Sequence, residues 1–317
     1  MQTRSYGDLF KLIKSLAGVG SFSTSELDDI ANLINRRFLQ IFNESPIWPR
    51  YLVSSEKRDV LALTLSGATA STDTTVNQNY KLLGANTNGG SNVYQGATTT
   101  TVIIYNTGTA WRVDTGASAT PQTSGTFTVT SGNQEFIEAD TNKKDNITDV
   151  EKFTPIAGAD SLLVEGKNLV QFAQTDKTTI GSFNRIYRKQ AFLNRSALEY
   201  EFFVDVTGAN ILNISSTADN SVFVTYKQQF TPFSVGPSND PTIYTDSTVK
   251  VPGEFFAYIA HATYADFLRM DGQTDKAFAE EERANGAMAL ELEKIDIISN
   301  NNTVNKRFST YVNRQSR

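Results

Sequence analysis

The chain has 317 residues, 39% of them hydrophobic and 20% charged, enough for about two globular domains and too apolar for a disordered chain. Its formal charge of −5 argues against DNA wrapped over the whole surface, because phosphate affinity comes from clustered Lys and Arg. The sequence contains no cysteine, which excludes disulfides, thiolate metal sites and cysteine nucleophiles.

The first eight residues are polar, and the nearest apolar run, 9–19, is interrupted by Lys11, Lys14 and Ser15. Neither a signal peptide nor a membrane span is therefore expected. Leu9, Phe10, Ile13 and Leu16 fall at helical spacing, and Gly18 with Gly20 ends that element. The next helix opens on Ser23-Thr24-Ser25-Glu26, a capping box. Leu27, Ile30, Ala31, Ile34, Phe38, Ile41 and Phe42 then form one apolar stripe, with Asp28, Asp29, Asn32, Arg36 and Arg37 largely off it. Two prolines in 43–50 stop the helix, and Trp48 reads as a plug on the core.

From residue 60 to about 131 charges nearly vanish, and Thr, Ser, Gly and Asn dominate. Short β-branched or alternating runs at 80–83, 100–105, 110–113 and 126–130 are separated by turn signals such as Asn88-Gly89-Gly90. A polar stretch, 135–153, reads as a linker. Runs at 161–164 and 169–172 flank Glu165-Gly166-Lys167-Asn168, a hairpin signal. Leu198, Tyr200, Phe202, Val204 and Val206 alternate as in a half-buried strand, followed by a turn at 207–210 and strands at 211–214 and 221–226. A meander or sandwich of antiparallel strands is expected.

After a loop over 233–249, Pro252 opens a helix over 255–270 that is apolar on most faces and must be covered on most faces. Thr274 caps a last helix to about residue 298, with Phe278, Ala284, Met288, Leu292 and Ile295 on its apolar side. The expected fold class is α+β. The two chain ends (1–50 and 250–298) form a small helical bundle. Inserted between them are a small β module with its linker (51–148) and an antiparallel β region (149–249), and a C-terminal arm (299–317) follows. Two plus two helices around an insertion form one bundle, with the stripe at 27–42 packed on the apolar helix at 255–270.

Possible sites are few. His261, the lone histidine, sits on the apolar helix and reads as a packed ring with one hydrogen bond rather than a catalytic base. Glu280-Glu281-Glu282 reads as a solvated helix face. Asp140, Asp145 and Asp149 with Asn142 and Asn146 carry oxygen ligands suited to calcium but lack the EF-hand spacing, and no metal or cofactor is assigned. From Ser299 onward the chain has no acidic residue, while Lys306, Arg307, Arg314 and Arg317 are basic and Phe308 and Tyr311 are interleaved. One reading is a frayed tail. The other is a segment that folds on docking to a partner, with aromatic anchors and arginine contacts.

Asn35-Arg36-Arg37 with Pro46-Ile47-Trp48-Pro49-Arg50, and Val251-Pro252-Gly253-Glu254-Phe255-Phe256-Ala257-Tyr258 continuing through Ala265-Asp266-Phe267-Leu268-Arg269 and Gln273-Thr274-Asp275-Lys276-Ala277 to Glu280-Glu281-Glu282, resemble the head-to-tail connector (adaptor, tail tubular) proteins of tailed bacteriophages. The module with Asn77-Gln78-Asn79-Tyr80, Val93-Tyr94, Ile103-Ile104-Tyr105 and Ala110-Trp111-Arg112-Val113 looks like a small β domain inserted in phage structural proteins. The resemblance implies a non-enzymatic virion protein of the neck or tail, assembled in the host cytoplasm. It also implies a homo-oligomeric ring, commonly of twelve subunits, beneath the portal protein. The arm residues Lys306, Arg307, Phe308, Tyr311, Arg314 and Arg317 would contact the portal. A downstream tail protein (stopper or nozzle) would dock on the ring while DNA passes through the lumen.

Two rivals stand beside it. Another tail component (stopper, tail tube or host-recognition protein) could bind glycans through Tyr80, Tyr94 and Trp111, although a module this small needs its aromatics inside. A polysaccharide-degrading enzyme would need a close acidic pair, and the module offers only Asp73 and Asp114.

Overall fold

The computed structural model describes residues 2–67, 76–86, 92–106, 111–115, 118–121, 126–130, 134–137, 150–155, 162–174, 178–190, 198–214, 220–234 and 248–315, with backbone alone at 85–86, 121–155, 162 and 297–315. The fold is α+β, with helices at the chain ends and strands between them. The chain divides into two units, one formed by 1–52 with 229–317 and the other by 53–228.

The helical unit begins with β1 (Thr3–Ser5) and α1 (Tyr6–Ala17). Ser5 caps α1 by accepting from Asp8 N, and Gly18 ends it at φ 67°, a left-handed conformation that suits glycine. The capping box of α2 (Thr24–Glu44) is complete: Ser23 Oγ accepts from Glu26 N at 3.4 Å, and Glu26 Oε2 accepts from Ser23 N at 2.7 Å. The α2 stripe is buried at Ile30, Ala31, Ile34, Phe38, Ile41 and Phe42. Trp48 is a core plug. It packs edge-on against Phe255 and donates its indole N–H to Ile41 O at 3.0 Å.

The inserted unit opens with β2 (Leu52–Asp59), β3 (Leu61–Ser66), β4 (Asn79–Asn86), β5 (Asn92–Gly96), β6 (Ile103–Asn106), β7 (Trp111–Asp114), β8 (Ser118–Pro121) and β9 (Thr126–Thr130). It continues with β10 (Gln134–Ile137), β11 (Val150–Pro155), β12 (Leu162–Gln171), β13 (Ile180–Tyr187), β14 (Phe202–Val204), β15 (Gly208–Ile211) and β16 (Ser221–Gln228). Pairing runs β12-β11-β10-β7-β6-β5-β4, and β3 pairs with both β4 and β12, so eight strands close on themselves as a barrel. Closure removes the exposed edges that an open sheet would leave, and an eight-stranded interior is just wide enough for side chains to fill. Leu63, Leu65, Tyr80, Ile104, Trp111 and Val164 belong to the buried cluster of these strands.

The strands at 135–153 and 162–171 correct two expectations. The supposed linker supplies β10 and β11 at its ends, while 138–149 lie outside the described residues. The supposed hairpin at 165–168 is one continuous strand carrying a bulge. Gly166 pairs with Leu63 and Leu169 with Leu61, so Lys167 and Asn168 are pushed out of register. The same partner strand runs past both halves, which a hairpin could not allow. The compositional difference between 51–148 and 149–249 does not divide the sheet, since the barrel draws strands from both.

Two wings leave the barrel: β15 and β14 extend from β12, and β9 and β8 from β4. A separate three-stranded sheet has the order β13-β16-β2. A second core gathers Val170, Ala209 and Ile211 from one sheet with Ile180, Ile186, Val222, Val224 and Tyr226 from the other. The alternation expected over 198–206 fails here. Tyr200 is buried, but Leu198, Val204 and Val206 are exposed, because Glu199 bridges to Tyr187 while Phe202–Val204 pair with β15. The turn precedes its expected place, at Asp205–Thr207, and β15 begins at Gly208. A Cβ there would collide with Val170 O.

The chain returns to the helical unit through β17 (Lys250–Pro252), which pairs with β1, then α3 (Gly253–Met270) and α4 (Thr274–Gln315). Helix α3 packs against α1, α2 and α4, the central position its apolar surface requires. Helix α4 does not stop near 298. Its backbone stays helical to Gln315, since no glycine or proline follows Gly286 to break it. Phe278, expected on the packed side of α4, is 65% exposed.

Candidate functional site

The surfaces that could do work in the helical unit are positioned by charges in its core. Asp266, buried on the largely apolar α3, needs a cation to be buried without great cost. It has two at close range. Arg37 donates to it through Nη2 at 2.5 Å and Nε at 2.6 Å, and Arg36 through Nη2 at 2.8 Å. Arg269 reaches the same carboxylate at 3.2 Å and also pairs with Glu281, which lies 3.4 Å from Arg37. The network therefore joins α2, α3 and α4. Burial alone would raise the Asp266 pKa, but the two guanidiniums outweigh it and hold the carboxyl below the usual range. Burial likewise opposes the Arg37 charge, and Asp266 raises its pKa in spite of it.

Arg37 is thus not a solvated flank of the α2 stripe, and Glu280 and Glu281 are not a solvated face. Glu280 is buried. It accepts from Arg283 at 2.5 Å and shares a 2.7 Å hydrogen bond with His261 Nδ1. His261 is a half-buried ring with this carboxylate as its partner. Nearby, Arg50 grips Glu254 with contacts of 2.7 and 3.2 Å and Gln2 O at 2.9 Å, fastening the segment after α2 to the first turn of α3. The signal for the central pair lay in Asp266 itself: an acid inside an apolar helix demands a distant arginine, but the sequence does not say which.

The arm residues fall on α4. Among the residues whose side chains are described, Ile295 is the last of α4 buried in the helical core, and from there to Gln315 the helix backbone continues for about 20 residues, about 30 Å. Lys306, Arg307, Phe308, Tyr311 and Arg314 lie on this extension, and Arg317 lies outside the described residues. At about 3.6 residues per turn, positions 304, 308, 311 and 312 share one helical face and 307 and 314 lie beside it. The arm is a continuation of the bundle's last helix. Met270, Phe278 and Leu290, on α3 and α4, are large apolar residues left exposed at 59%, 65% and 61%.

Tyr80, Tyr94 and Trp111 are 0%, 4% and 0% exposed and belong to one buried cluster, so none is a surface platform for sugar. Tyr80 donates to Val76 O at 2.6 Å, as a core tyrosine does. Asp114 is buried and accepts from Tyr105 at 2.8 Å, while Asp73 and the oxygen-rich stretch from Asp140 to Asp149 lie outside the described residues. Among the described residues, no group of three or more His, Cys, Asp or Glu is placed to hold a metal, and no helix is long and apolar enough to cross a membrane. Comparison of the chain with known protein families, with curated proteins and with solved structures finds no match.

Proposed function

We propose that the chain is a structural, non-enzymatic component of a tailed-phage virion, a head-to-tail connector that forms a closed ring beneath the portal. The observation that carries this reading is α4. It outruns α3 by more than twofold in residues, 42 against 18, and its backbone runs on well past Ile295, the last buried α4 residue among the described side chains. A polar helix of that length gains little from its own propensity and is ordinarily stabilised by packing. A helix extension carrying Lys306, Arg307, Phe308, Tyr311 and Arg314 suits insertion into the portal, with aromatics as anchors and arginines as contacts.

The ionic network supports the same reading. A subunit that transmits load along a tail needs helices fixed against one another, and the α2–α3–α4 pairs hold them so. Neighbouring copies would meet head to tail, the heterologous geometry that closes rings, and Met270, Phe278 and Leu290 are among the exposed apolar residues available for it. The downstream tail protein would dock on the opposite side of the ring. Net charge −5 would let DNA pass through the lumen with little counterion release to hold it.

The test is deletion of residues 299–317 followed by sedimentation with the portal protein of the same particle. The truncated chain should lose only the helical signal of the deleted stretch, keep its thermal transition and lose portal association. Association at the full-length level would remove the arm from the account.

A further inference from the structure

Where β15 leaves β12, the inserted unit has an open cleft of about 540 Å³. Its floor includes Leu82, Tyr94, Leu169 and Ile211, all buried. Its rim is different in kind. Phe203, at the sheet edge on β14, lines the cleft and remains 54% exposed, and Leu212 follows at 42%. An aromatic side chain left half in water beside a cleft contributes nothing to the core it could have joined.

The polar rim is prearranged. Asp205 Oδ1 accepts from Thr207 N at 2.7 Å, Thr207 Oγ1 at 2.6 Å and Gly208 N at 3.1 Å, and Oδ2 accepts from Asn210 Nδ2 at 2.7 Å. These bonds, led by Thr207, hold the carboxyl down to about 2, so it is ionised at neutral pH. They also fix the Asn210 amide with its carbonyl oxygen uncommitted among the described residues. Across the cleft the β12 bulge thrusts out Lys167 and Asn168. Asn168 is exposed and makes no hydrogen bond among the described residues, and Lys167 lies 3.6 Å from Glu165. The bulge is what aims these two side chains, since in an unbroken strand they would stay in register with β3.

The combination selects a ligand class. Amide, hydroxyl and carboxylate groups around an apolar floor can both donate and accept, which suits a ligand bearing many hydroxyls. A half-exposed ring suits one with a flat C–H face. Charge excludes anions: Glu165 and Asp205 stand against Lys167, a formal balance of −1, which opposes phosphate, sulfate or sialic acid and with them nucleotides. We infer that this cleft binds a neutral pyranoside, its C–H face on Phe203 and its hydroxyls on Asn168, Asn210 and the Glu165–Lys167 pair. The cleft lies wholly within 53–228, so the inference does not depend on ring assembly.

The test uses the full chain against immobilised neutral oligosaccharides, of hexose and N-acetylhexosamine type, beside sialylated and sulfated ones, with saturation-transfer NMR on the hits. Neutral glycans should bind. Phe203→Ala and Asn168→Ala should each weaken binding by about tenfold, the scale of one ring contact or one hydrogen bond. Phe203→Tyr should retain it, as should Val206→Ala, which alters a 96% exposed residue outside the lining. Unchanged melting of the variants would show that they fold. Failure of every neutral glycan to bind the folded wild type overturns the assignment, as does preference for anionic glycans or full binding by Phe203→Ala.

Discussion

Arg37 and Asp266 have side chains only 7% and 5% exposed and meet through two parallel hydrogen bonds. Removing either partner strands a buried charge, so Arg37→Ala or Asp266→Ala should each lower unfolding stability by about 3–5 kcal/mol, measured by urea denaturation of the helical unit's transition. The pH dependence follows from the lowered Asp266 pKa. Its contribution is complete above the unfolded value of 3.8 and is lost as pH falls through the lower folded value, so Asp266→Asn should flatten the acid limb. Lys227 behaves in the opposite range. Burial pushes its ammonium down to about 8 from 10.5, so between those values the unfolded chain holds more protons and stability should rise with pH. Lys227→Met should abolish that rise. Tyr51, pushed up to about 12 by burial, works against it above 10, where the unfolded phenol ionises first.

At the scale of elements, the helices were the readable part. A capping box, a stripe at helical spacing and a proline entrance are local patterns, and α1, α2 and α3 form where Ser23, Leu27–Phe42 spacing and Pro252 place them. The barrel was hidden for an equally physical reason. Its closure rests on β3 pairing with β12, residues such as Leu63 and Gly166 that lie far apart in the chain, and no local period reports such a contact. Glycine-lysine-asparagine at 166–168 spells a turn and builds a bulge, because turn chemistry describes one strand and not its partner. The cleft's rim was invisible with it, whereas Tyr80, Tyr94 and Trp111 drew attention as aromatics in a polar module and proved to be its core. On α4, Phe278 was placed inside by spacing alone. Left exposed, with Arg269 stacked 5.7 Å from its ring centre, it should mark a contact between copies. Phe278→Ser should leave the monomer's melting temperature within about 2 °C, as surface changes usually do, and lower the fraction of assembled species in sedimentation velocity.

For the whole molecule, the arrangement is a helical unit made from the two chain ends with a barrel-bearing unit inserted between residues 52 and 229. The chain leaves and returns through β2 and β16, neighbours in one sheet, and adjacent strands lie only about 4.8 Å apart. Replacing 53–228 by a short Gly-Ser linker should therefore preserve the helical unit, with the same helical signal by circular dichroism and a cooperative thermal transition. Loss of cooperative folding would mean that the helices need the insertion. The proposed function stands on assembly. Electron microscopy of the full-length protein, alone and mixed with the portal of the same particle, tests it most directly. A closed ring of identical copies seated against the portal, with the C-terminal helices at the contact, is the expected result. A monomer that ignores the portal would contradict it.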